Sequence, residues 1–143
     1  MLNEYTTAIV SDMAKPVATR WLTQEESLDK AFRVSPEFRE EWYGTTLGRT
    51  FGTAVLKYRY DHGLSQTALG RLVGMTQPQI WRIEEGEHNP SMETLTRLCD
   101  GLGLEISLTI GPKADTRREV PAKLQRNAVC AATDQVVISV REA

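Results

Sequence analysis

Gln77, Gln79, Trp81 and Arg82 fall within one short stretch of the chain. A glutamine side chain offers one donor and one acceptor that can pair bidentately with adenine, and an arginine does the same with guanine or grips a phosphate. Trp81 adds an apolar surface that can pack on sugar and thymine methyl groups or lean against its own neighbours. Such a set suits the floor of a major groove. No competing chemistry is signalled elsewhere. His62 and His88 have no partner at metal-ligand spacing, and Cys99 and Cys130 lie far apart without a C-x-x-C pattern, so no metal and no disulfide framework is expected. There is no Ser/His/Asp arrangement, no phosphate-cradling glycine loop and no acid pair with an obvious pocket. The reading is therefore of a non-enzyme without a cofactor or catalytic residue.

Groove chemistry needs a rigid mount, and the residues around it supply one. Ser65 can cap a first helix whose apolar stripe is Leu69, Leu72 and Val73, while Gly70 is small enough for a second helix to cross closely. Gly74 allows a positive φ in the turn. Thr76 can cap the second helix, Pro78 sits in its first turn where a missing amide costs least, and Ile80 and Ile83 point inward at i, i+3. Gln77, Gln79, Trp81 and Arg82 are left on the outer face.

The same rules extend to the flanks. Thr23 and Glu26 have capping-box spacing before a helix expected over 24–33, and Ser35-Pro36-Glu37 opens another over 36–43. Leu47, Phe51, Ala54, Val55 and Tyr58 recur at helical spacing over 47–60, and Met92, Leu95, Leu98, Cys99 and Leu102 form a stripe after Pro90-Ser91. Residues 104–110 then alternate apolar and polar as a half-buried strand does, and Gly111-Pro112 stops it. Residues 113–126 hold five basic and two acidic side chains and read as a linker, solvated or touching phosphates. Residues 129–140 suit a hairpin or a lone strand.

From Leu64 to Leu104 the run LSQTALGRLVGMTQPQIWRIEEGEHNPSMETLTRLCDGLGL resembles the Cro and phage-repressor family, also called XRE. The resemblance implies a mainly α fold, a five-helix helix-turn-helix domain with an N-terminal helical extension and a C-terminal β segment. It also implies that Gln66 and Thr76 touch phosphates, that Gln77, Gln79 and Arg82 face base edges, and that Asn89 lies near the DNA backbone. Arg59 and Glu84 would pair as a structural brace. Two positions depart from the family: Gly70 stands where alanine is usual, at an expected cost of about 1 kcal/mol without altering the crossing, and Trp81 where small polar residues are common.

More loosely, the whole chain is similar to HigA-type antitoxins of type II toxin–antitoxin pairs. Small size, the segment ending SPEFREEWYGTTLGR and the strand GLEISLTI carry that likeness. It implies repression of its own operon and neutralisation of a small basic RelE/HigB-like toxin. Two other readings stand beside it: a stand-alone bacterial or phage repressor, and a protein-interaction adaptor that has lost DNA readout. Phe38 and Trp42 share a helix face that either packs on the preceding helix or binds a protein partner.

Charge sharpens the expectation. The chain of 143 residues carries −2 overall, and residues 47–103 hold six basic and six acidic side chains. Without bulk attraction for a polyanion, one copy should bind DNA weakly. A homodimer on a palindromic double-stranded operator remedies this by seating two recognition helices one helical turn apart. Four segments are expected: an arm with short helices (1–46), the DNA-binding domain (47–103), a strand that pairs across a two-fold axis or within its own chain (104–112), and a basic linker with a strand or hairpin (113–143). No basic leader and no run of 18 apolar residues occurs, so a cytoplasmic protein without a membrane partner is expected.

Overall fold

The computed structural model describes residues 23–143, which places the expected arm over 1–22 outside the described residues. The chain divides into two compact units, Met1–Gly44 and Thr45–Ala143. Seven helices and one three-stranded sheet make up the described residues, a mainly helical fold. None of the helices is long and apolar enough to cross a membrane.

In the first unit, α1 (Gln24–Val34) opens on a complete capping box. The Glu26 amide donates to the Thr23 hydroxyl at 3.2 Å, and the Thr23 amide donates to the Glu26 carboxylate at 2.8 Å. Ser35 accepts from the Phe38 amide at 3.2 Å and so starts α2 (Pro36–Gly44). Phe38 lies 5.9 Å from Phe32 of α1 and 5.7 Å from Trp42, ring centroid to centroid, and Tyr43 meets Phe32 edge-on at 5.4 Å. These are ordinary separations for packed aromatics. Phe38 and Trp42 thus belong to a cluster that joins the two helices.

The second unit begins with α3 (Thr46–Asp61), followed by α4 (Gln66–Val73), α5 (Gln77–Glu85) and α6 (Met92–Leu102). Ser65 and Ser91 cap α4 and α6, accepting from the Ala68 and Thr94 amides at 3.0 and 3.2 Å. Phe51, Val55, Leu69, Ile80 and Leu98 are fully buried at the centre, with Leu102 and Leu104 beside them. Cys99 packs against this cluster, and burial holds its thiol above the ordinary value. The sheet completes the enclosure of this helical core through Ile138 and Val140.

Strand β1 (Leu104–Ile110) pairs antiparallel with β3 (Val136–Glu142), which also pairs with β2 (Ala128–Ala132), giving the order β1-β3-β2. The register sets Leu104 opposite Glu142 and Ile110 opposite Val136. The segment that composition marks as a linker is tied to this sheet. Ala114 and Arg118 donate backbone amides to the Asp134 and Thr133 carbonyls at 2.9 and 2.8 Å, and the Arg117 side chain donates to the Ala132 carbonyl at 2.7 Å. The short helix α7 (Ala122–Gln125) ends the strap, and its Leu124 carbonyl accepts from the hydroxyl of buried Ser139 at 2.8 Å. Without that acceptor a buried hydroxyl would be unsatisfied.

Helix α3 crosses α5 at backbone contact. A β-carbon on Gly52 would fall inside the Ile83 carbonyl oxygen and 3.1 Å from that of Glu84. Gly52→Ala should therefore destabilise the fold by about 1–3 kcal/mol by overpacking, although helix propensity alone favours alanine by about 1 kcal/mol. The urea midpoint decides the sign: a rise would show that the helices part freely.

Candidate nucleic-acid interface

Two local devices set the angle between α4 and α5. Gly74 adopts φ 68°, ψ 35°, a left-handed conformation that lets the chain leave α4 sharply, and the Met75 amide closes the turn on the Gly70 carbonyl at 2.8 Å. A β-carbon on Gly70 would press into the Met75 carbonyl oxygen. Gly70 is thus more than the mild loss of helix propensity expected from sequence, since alanine there requires the turn itself to shift.

Thr76 is the N-cap of α5, and Gln79 completes a capping box with it. The Thr76 amide donates to Gln79 Oε1 at 2.8 Å, while the Gln79 amide donates to Thr76 Oγ1 at 3.4 Å. Both residues were expected to meet DNA. In this structure the acceptor oxygen of Gln79 is turned back onto its own helix end, so the bidentate pairing with adenine expected of Gln79 is not set up.

Gln77 and Gln66 face each other across the turn. Arg59 grips Glu84 through two hydrogen bonds, Nε to Oε1 at 2.6 Å and Nη2 to Oε2 at 3.1 Å. Glu84 Oε2 also accepts from Gln66 Nε2 at 2.8 Å, and Gln66 Oε1 accepts from Gln77 Nε2 at 2.7 Å. The polarity of this chain is fixed at its inner end. A carboxylate only accepts, so Gln66 must turn its NH2 to Glu84 and its oxygen to Gln77, and Gln77 must donate. What Gln77 keeps outward is its own carbonyl oxygen and a second N–H, the pair an adenine edge requires.

The Arg59–Glu84 brace is well shielded, with side-chain exposures of 16% and 6%. Hydrogen bonding to Glu84 is the main cause that raises the Arg59 pKa above its already high ordinary value, so the guanidinium stays charged.

Arg82 is exposed and, among the described residues, held in no ion pair. Trp81 keeps 49% of its surface in solvent. Together with Glu85, Glu87 and His88 they line a hollow of about 360 Å³ on the outer side of α5. The acidic residues on this rim were missed in the sequence reading, although Glu85 follows Trp81 by four residues and so shares its helix face.

Asn89 has a structural task. Helix α3 has no side-chain cap from Thr45, and Asn89 Oδ1 instead accepts from the Gly48 amide in its first turn at 2.9 Å. A residue of the α5–α6 loop thereby satisfies an orphan donor of a distant helix.

The family described as "Helix-turn-helix domain" matches residues 48–109. An uncharacterized HTH-type transcriptional regulator of Haemophilus influenzae is 46% identical over 50 residues, which cover 35% of this chain and 51% of that protein. An HTH_3 family transcriptional regulator from Vibrio cholerae, known as a crystal structure, is 21% identical with a TM-score of 0.40, over 50% of this chain and 53% of that one. The chain thus spans about half the length of the relatives it matches. Residues 48–109 therefore match a helix-turn-helix domain, the span that holds the two capped helices α4 and α5 and the turn at Gly74.

Proposed function

We propose that this protein is a sequence-specific DNA-binding transcriptional repressor, and that it acts in the cytoplasm as a homodimer on a palindromic operator. The observation that carries this reading is the hydrogen-bonded run Arg59–Glu84–Gln66–Gln77, which holds one carboxamide edge of Gln77 outward on the helix that also carries exposed Arg82. Ordered side chains at a helix face read bases without first losing rotamer freedom. The domain's balanced charge favours two copies over one.

Strand β1 is our candidate for the dimer contact. It is an edge strand, free of proline, with Glu105 as its sole charge, and its Leu108 and Ile110 are 41% and 65% exposed. Apolar edges of this kind are commonly covered by pairing. Leu108→Lys with Ile110→Lys should convert dimer to monomer in sedimentation, and a dimer that survives would move the interface elsewhere.

At the finer level we propose an antitoxin that neutralises a RelE/HigB-like toxin and represses its own operon. The support is the family likeness of the whole chain, with its aromatic-rich helical pair before the DNA-binding domain and its strand after it. A small basic toxin should be encoded next door and co-purify. Footprinting of the chain's own promoter tests the DNA reading separately. An isolated gene with a clear footprint would favour a stand-alone repressor. No sequence preference even at low salt would favour an adaptor.

A further inference from the structure

On the far side of α3 from its crossing with α5, the helix and one end of the sheet diverge around a cleft of about 500 Å³. That volume lies within the range of small-molecule sites. Its lining is more polar than apolar, and the apolar part, the floor, comes from Ala54 and Tyr58 of α3 with Leu104, Val129 and Val140 of the strands. These strand residues share one face, because the register sets Val129 opposite Val140 on neighbouring strands.

The charged groups at the mouth are already satisfied within the chain. Lys57 pairs with Asp61 at 2.5 Å, Arg141 with Glu105 at 3.2 Å, and Glu142 meets His62 at 3.0 Å. The carboxamides are not. Gln125 donates its NH2 to the Val120 carbonyl at 2.7 Å, leaving its oxygen as an acceptor, and the Asn127 side chain makes no hydrogen bond among the described residues. Asn127 is also the one described non-glycine residue with positive φ, at 50°. That conformation is uncommon outside glycine, and asparagine tolerates it.

We infer that this cleft is a binding site for a small neutral amphipathic molecule, with an apolar ring or short acyl body on the floor and an uncharged hydrogen-bonding head between Gln125 and Asn127. A charged head gains little here, because each charge at the mouth already has its opposite beside it, whereas an amide or hydroxyl finds unused partners. Occupancy would be transmitted. Helix α3 presents Tyr58 to the cleft and Arg59 to Glu84, and its Gly52 lies against the carbonyls of Ile83 and Glu84. Binding at the cleft does not depend on the DNA reading, although its use as an effector site does.

The test is an amide chemical-shift titration of the full chain with benzamide, with benzoate and benzylamine as charged counterparts. Benzamide should shift the Tyr58, Val129 and Val140 amides with a Kd of about 1–10 mM, ordinary for a fragment of its size. The charged probes should bind at least about fivefold more weakly. Ile83 and Glu84 should shift too, and silence there would overturn transmission along α3. Val129→Phe should fill the floor and abolish binding. Asn127→Gly, which removes the carboxamide and keeps the positive-φ backbone unstrained, should weaken benzamide at least threefold, the effect of about one lost hydrogen bond. Absence of shifts, equal binding of all three probes, or unchanged affinity in Asn127→Gly would overturn the site.

Discussion

Replacing Arg59 with alanine should lower the unfolding free energy by about 2–3 kcal/mol, the largest single loss expected from any one side chain outside the apolar core. Glu84 is only 6% exposed and accepts from Arg59 twice and from Gln66 once. Without the guanidinium, a nearly buried carboxylate keeps one neutral donor, and the desolvation of its charge is no longer offset. The figure sits below the range for a wholly enclosed pair because 16% of the Arg59 side chain still meets solvent. The double variant Arg59→Leu with Glu84→Leu should lose less than Arg59→Ala, since no unpaired charge remains. Urea unfolding of both singles and the double gives a coupling energy, expected at about 1.5 kcal/mol or more. A coupling near zero would reduce the brace to an incidental contact. DNA binding should suffer beyond the stability loss, because Gln66 is oriented by Glu84 and Gln77 by Gln66.

That brace and the turn beside it were legible in the sequence, the turn from local rules and the brace through family likeness. Ser65, Gly74 and Thr76 are residues whose chemistry acts within four positions of themselves, and each cap or turn falls where its type predicts. The helix expected over 47–60 runs Thr46–Asp61 for the same reason. Tertiary choices were not legible. Gln79 has two uses open to it, a base edge or the Thr76 amide, and spacing alone does not decide between them. Asn89 reaches a helix that lies 41 residues earlier in the chain, a contact no local pattern announces. The strap over 113–126 was hidden by its own composition. Arg117 and Arg118 look like solvated charge, yet the side chain of one and the amide of the other hold the β2–β3 turn. Strand order is similarly remote, since β1 pairs with the last strand and not with the next.

The second large effect concerns the DNA reading itself. If Gln77 pairs with an adenine and Arg82 with a guanine, each change to alanine removes about 1–3 kcal/mol of discrimination per half-site. In a symmetric dimer each change is made twice, so either variant should weaken operator binding by roughly 30-fold or more. The loss should fall on specific binding alone for Gln77→Ala, which alters no charge, and partly on non-specific binding for Arg82→Ala. Gln79→Ala should behave differently, because its oxygen serves the Thr76 amide. Its main effect should be a loss of helix-cap stability of about 1 kcal/mol, with operator affinity changed far less than in Gln77→Ala. Gel-shift titrations of operator and scrambled duplex at two salt concentrations separate these contributions. Equal losses on both duplexes for Gln77→Ala would mean that α5 grips the backbone without reading it. With six charges of each sign in residues 47–103, a purely electrostatic grip has little to work with. Any tight binding that survives loss of both Gln77 and Arg82 would therefore have to come from a surface other than α5.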